Sequence, residues 1–95
     1  MANSKINNIE KSFKALANKK RIEILLFLRK VKSASVGEIS EEISISLKST
    51  SKHLLILYGA DFVEKERVHG LTIYVLKDNM DLLEKTLSGA VFKNL

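Results

Sequence analysis

Cysteine, proline and tryptophan are absent from the 95 residues, and glycine occurs four times. Without cysteine there can be no disulfide, no thiolate metal site and no cysteine nucleophile. With no proline, no low-complexity run and no repeat, nothing marks a boundary inside the chain. It reads as one domain over residues 1–95, large enough for a modest core and too short for two. The longest apolar runs fall far short of a bilayer span, so no membrane contact is expected. Met1 to Asn8 is polar and carries no apolar core or small-residue cleavage site, which favours a cytoplasmic location. Catalytic constellations are missing too: there are two histidines, no glycine-rich phosphate loop and no serine in a nucleophile elbow. Ser51 and His53 lie close in sequence, but on a helix they project in different directions. Neither enzymatic activity nor a cofactor is expected.

Acidic charge is scarce where basic charge is dense. The net charge is +5, with a sequence pI near 9.6. Lys5, Lys11, Lys14, Lys19, Lys20, Arg21, Arg29, Lys30 and Lys32 face only Glu10 and Glu23 in the first third. Lys48 and Lys52 occupy a second stretch without acids. Such a distribution suits an anionic partner.

Hydrophobic spacing sets the elements. Ile6, Ile9, Phe13 and Leu16 recur at helical intervals, which predicts a first helix over about 6–17. Asn18 can cap a second, Lys19 to Val31, whose Ile22, Leu25, Leu26 and Leu28 predict burial on more than one side. After a loop at Lys32-Ser33-Ala34, Ser35 and Glu38 have the spacing of a capping box, opening a short helix with Val36, Ile39 and Ile43 inward. Ser44-Ile45-Ser46 reads as a tight turn, and Ser46 caps a fourth helix running to about Ala60. Two short helices joined by such a turn form a helix-turn-helix.

Beyond Asp61 the pattern alternates. Phe62–Val68 and Leu71–Leu76 read as strands, and His69-Gly70 suits a two-residue hairpin, the wing. Asp78 or Asn79 can cap a last helix with Met80, Leu83, Leu87 and Val91 in a stripe and Leu82 beside it. The expected fold is mainly α with a small β-hairpin, a winged helix-turn-helix in the order α-α-α-α-β-β-α.

From Phe13 to Leu76 the chain resembles the ArsR/SmtB family of winged-helix repressors. Three stretches carry the likeness: Ala15 to Leu25, with Arg21 after the break; Ser35-Val36-Gly37-Glu38-Ile39; and Ser51-Lys52-His53-Leu54-Leu55-Ile56-Leu57 followed by Ala60-Asp61-Phe62-Val63. The resemblance implies a double-stranded DNA-binding transcriptional regulator, working as a homodimeric repressor, with scope for an unidentified small-molecule effector. Asp61 stands where such families usually place glycine. Metal-sensing members carry a cysteine pair at the positions of Ser35 and Gly37, or histidine and carboxylate ligands on the last helix. Here the cysteines are missing, and the last helix offers only Asp81 and Glu84, poor ligands for zinc. No metal site is expected.

Helical projection of the fourth helix puts Leu47, Thr50, Leu54, Leu57 and Tyr58 toward the core. Lys48, Ser49, Lys52 and His53 then face outward, on the N-terminal part that enters a major groove in helix-turn-helix proteins. The resemblance adds Ser51 and gives further weight to His53. Lysine can donate to guanine or phosphate, serine can reach either, and histidine can donate or accept. On the wing, Lys65 and Arg67 are candidates for minor-groove or backbone contact, with His69 beside them and Glu64 and Glu66 among them. Arg21 is expected to be mainly structural, pairing with Glu23 or a neighbour, and is a secondary phosphate candidate. The stripes Ile6, Ile9, Phe13 and Leu83, Leu87, Val91, with Phe92, exceed what so small an interior can hide and predict a dimer interface. The competing reading is a winged-helix module that docks a protein through the fourth helix and binds no DNA.

Overall fold

The computed structural model describes residues 2–77. Its elements are α1 (Ala2–Leu16), α2 (Lys19–Val31), β1 (Ser33–Ser35), α3 (Val36–Ile43), α4 (Leu47–Gly59), β2 (Val63–Val68) and β3 (Leu71–Leu76). The expected last helix and its stripe Leu83, Leu87 and Val91 lie outside the described residues.

The helix starts are chemically fixed. Asn18 accepts from the Arg21 backbone N–H at the head of α2. Ser35 and Glu38 form the reciprocal capping box of α3: each side chain accepts from the other residue's backbone N–H. Ser46 accepts from the Ser49 N–H and starts α4. Each cap satisfies a donor that the first helical turn leaves free, worth about 1 kcal/mol.

Packing then brings these helices onto one core. Ile24 and Leu28 of α2, Ile39 of α3, Leu54 and Leu57 of α4 and Val63 of β2 are fully buried. At roughly 1.5–3 kcal/mol for each large side chain, this cluster is the main force setting α4 against α2 and α3. β2 and β3 form an antiparallel hairpin with Val63 opposite Leu76 and Val68 opposite Leu71. Its turn residues His69 and Gly70 have φ of 50° and 81°, the two positive angles that a tight hairpin matching strand twist demands.

Several expectations change. α1 begins at Ala2, a turn earlier than the apolar pattern shows, and ends at Leu16. The presumed loop at Lys32–Ala34 contributes β1, which pairs antiparallel with β3, Ser33 opposite Val75 and Ser35 opposite Ile73. The sheet order is therefore β1-β3-β2, and the described order gains a strand before the helix-turn-helix. Ile22 and Leu26, expected inside, are exposed, because Ile24, Leu25 and Leu28 define the inner side of α2. In α4, Thr50, Leu54 and Leu57 fix the inward direction, so Leu47 and Tyr58 at its margin stay exposed.

Candidate nucleic-acid interface

The helix-turn-helix is α3, the turn Ser44–Ser46 and α4. Ser44 ends α3 in the left-handed region at φ 57°. Ser40 Oγ donates to the Ile45 carbonyl at 2.6 Å, and Lys20 Nζ donates to the Ile43 carbonyl at 2.8 Å. The last carbonyl of α3 is thus satisfied from α2, and the Ile45 carbonyl of the turn by a side chain of α3. The consequence is a turn held at both sides, with α4 leaving it at a defined angle.

On α4, Lys48, Ser49, Ser51 and Lys52 are exposed, as expected for groove-facing residues. The opposite side is anchored by Leu54, Leu57 and Thr50, whose hydroxyl donates to the Ser46 carbonyl at 2.8 Å. No acidic residue occurs between Leu47 and Gly59. The positive end of the helix dipole and two lysines therefore act together, unopposed along the helix itself.

His53 behaves differently from its neighbours. It is half-buried, and its Nδ1 lies 3.2 Å from Arg21 Nη1. Burial first, and then the Arg21 charge, hold its pKa below the ordinary value of 6.5. Arg21 does not pair with Glu23, which instead meets Lys20 at 3.2 Å. Its Nε donates to the Ala15 carbonyl at 2.7 Å and its Nη2 to the Lys14 carbonyl at 3.0 Å. One guanidinium thus closes the C-terminal end of α1 and holds a side chain of α4. Sequence reasoning saw the arginine without its partners, because His53 lies 32 residues away and the other two are backbone carbonyls at the end of α1, which carry no side-chain signal.

Lys65 and Arg67 sit on β2, an edge strand of the sheet. Lys65 Nζ lies 4.6 Å from the centre of the Tyr58 ring, a cation–π distance that ties the wing to α4. Arg67 Nη1 donates to Thr72 Oγ1 at 3.3 Å across the hairpin. Both cations remain exposed. Asp61, at the exit from α4, has φ 64°, and its carboxylate meets Lys77 Nζ at 3.2 Å.

At the proposed interface, Ile6 and Ile9 are 61% and 39% exposed, and Phe13 is half-buried. Of the positions where metal-sensing relatives bear cysteine, Ser35 is occupied in capping α3 and Gly37 has no side chain. Among the described residues, no group of three or more His, Cys, Asp or Glu is placed to hold a metal ion. No described helix is long and apolar enough to cross a membrane.

A helix-turn-helix followed by a hairpin wing, with a basic second helix, defines a winged helix-turn-helix regulator. The profile of the arsR family of bacterial regulatory proteins matches residues 18–65. The arsenical resistance operon repressor of Bacillus subtilis is 33% identical over 73 residues, covering 77% of this chain and 70% of the relative. Among solved structures, a homodimeric winged helix-turn-helix DNA-binding domain from Mycobacterium bovis superimposes with a TM-score of 0.81 at 22% identity, over 98% of this chain and 84% of that one. HlyU from Vibrio cholerae does so at 0.73 and 25%, over 92% and 95%. The chain belongs to the ArsR family of winged helix-turn-helix, DNA-binding transcriptional regulators.

Proposed function

We propose that the protein is a cytoplasmic, dimeric repressor that inserts α4 into the major groove of a specific operator and responds to no metal. The observation that carries this reading is the acid-free outer face of α4, where Lys48, Ser49 and Lys52 stand exposed over a rigid inner face. Ser51 and His53 flank that face. Lysines 48 and 52 supply phosphate or guanine contacts, and the serines supply shorter-range ones. Lys65 and Arg67 follow the backbone from the wing. Repression and pairing of subunits are carried over from the names of the Bacillus subtilis relative and the Mycobacterium bovis domain.

The chain acts as one domain over its 95 residues, with the terminal helices forming the subunit contact. Ile6 and Ile9, 61% and 39% exposed on the first helix, support that contact, since large apolar side chains left open to water favour association. A two-fold dimer presents its two α4 helices to half-sites roughly 34 Å apart. Selection of purified protein on randomised duplex DNA tests the proposal. An enriched inverted repeat with that spacing is expected. Retention of no duplex, together with capture of a protein through α4, would establish the interaction-module alternative instead.

A further inference from the structure

Leu47 is the first residue of α4 and is 58% exposed. It does nothing for the helix start, since Ser46 supplies the cap and Ile45, packed against the core, supplies the apolar contact that precedes a cap. Thr50, Leu54 and Leu57 provide the inward anchor without it. Leu47 is therefore an apolar side chain set at the leading end of the helix with no intramolecular task.

Its surroundings give it one. Lys48 follows about 100° round the helix, and Ser51 lies one turn on along the same edge, both exposed. In a helix-turn-helix the N-terminal end of this helix meets the base edges. Leucine has no donor or acceptor, so it cannot read guanine, cytosine or adenine by hydrogen bonding. Against those edges it would strip water from polar groups and return nothing. Thymine alone presents a methyl group in the major groove. Leu55 is exposed as well, at 66%, but it lies two turns further from the leading end.

We propose that Leu47 is a specificity-determining residue that reads the C5-methyl of a thymine in each half-site, with Lys48 holding the adjoining guanine or phosphate. The proposal rests on the operator-binding reading above. It accounts for an exposed leucine in a position where a polar side chain would cost less.

The test replaces each thymine of one selected half-site in turn by deoxyuridine, which removes the methyl and keeps the base pair. Wild-type protein should lose about fourfold in affinity at one such position, the effect of one buried methyl-sized group. Leu47→Ala should bind the thymine and uracil duplexes equally there. Alanine is a stronger helix former than leucine, so the variant should fold, as thermal melting would verify. Lys48→Ala should weaken both duplexes and preserve the difference between them. The proposal is overturned if the half-site contains no thymine, if wild-type protein ignores every replacement, or if Leu47→Ala stays as sensitive as wild type. If selection enriches no duplex, the operator-binding reading fails and this one with it, an outcome distinct from a bound operator read without thymine.

Discussion

Arg21 Nη1 and His53 Nδ1 stand 3.2 Å apart across 32 residues of sequence. Arginine can only donate, so Nδ1 accepts and the neutral ring carries its proton on Nε2. The same guanidinium holds the carbonyls of Lys14 and Ala15. The end of α1 and the middle of α4 therefore share one fixed point. Arg21→Ala should lower stability by about 1–2 kcal/mol in urea unfolding, the range for part-exposed bonds from a charged donor. It should also weaken duplex binding. Arg21→Lys should recover only part of either loss, because one ammonium cannot span all three acceptors in a planar fork.

Protonation of His53 should act against the fold. Its folded-state pKa is lowered, by burial first and by Arg21 second, so between that value and 6.5 the unfolded chain holds more proton than the folded one. Stability should be unaffected by this group above pH 6.5 and should fall as pH drops through the lowered pKa. His53→Asn should remove that part of the slope, measured as the difference in urea midpoints between variant and wild type from pH 8 to 5. A difference that does not change with pH would contradict the linkage.

Asp61 occupies the left-handed region at φ 64°, where side chains with branched β-carbons are most strained. Asp61→Val should cost about 1–2 kcal/mol of stability. Asp61→Gly should leave stability level or slightly raised, since relief of the backbone offsets an exposed pair with Lys77 worth under about 1 kcal/mol. Equal effects from the two substitutions would show that the backbone angle is not what limits this position.

Ile6 and Ile9 sit on the outer face of α1 and are exposed within one subunit. Ile6→Glu combined with Ile9→Glu should convert a dimer to monomer in sedimentation velocity, with helix content retained. Operator affinity should then fall by at least tenfold, because two half-sites are no longer engaged together. An unchanged sedimentation coefficient would place the subunit contact elsewhere.

Much of this architecture was legible in local sequence. The caps at Asn18, Ser35 and Ser46 and the His69-Gly70 turn are short-range devices, so the starts of α2, α3 and α4 and the hairpin turn could be read where they stand. β1 could not, because Ser33-Ala34-Ser35 has no strand pattern of its own and exists only by pairing with β3. Leu47 and Tyr58 were misplaced for a related reason. A helical projection fixes relative directions, but the inward axis is set by tertiary contacts, here those of Thr50, Leu54 and Leu57. Of the candidate site, exposed Lys48, Ser49 and Lys52 of α4 followed from spacing, and Ser51 from the family resemblance. The bond from Arg21 to His53 and the stacking of Lys65 on Tyr58 did not, since each joins distant elements.

The central claim is that α4 meets the phosphates and bases of a duplex through Lys48 and Lys52. It is tested most directly by the slope of log affinity against log salt concentration, measured by fluorescence anisotropy for wild type, each single alanine variant and the double variant. Each substitution removes two cations from a dimer, so each should flatten the slope by about 2 and the double variant by about 4. Both residues are exposed, and thermal stability should not change. A double variant with the wild-type slope and affinity would contradict the account.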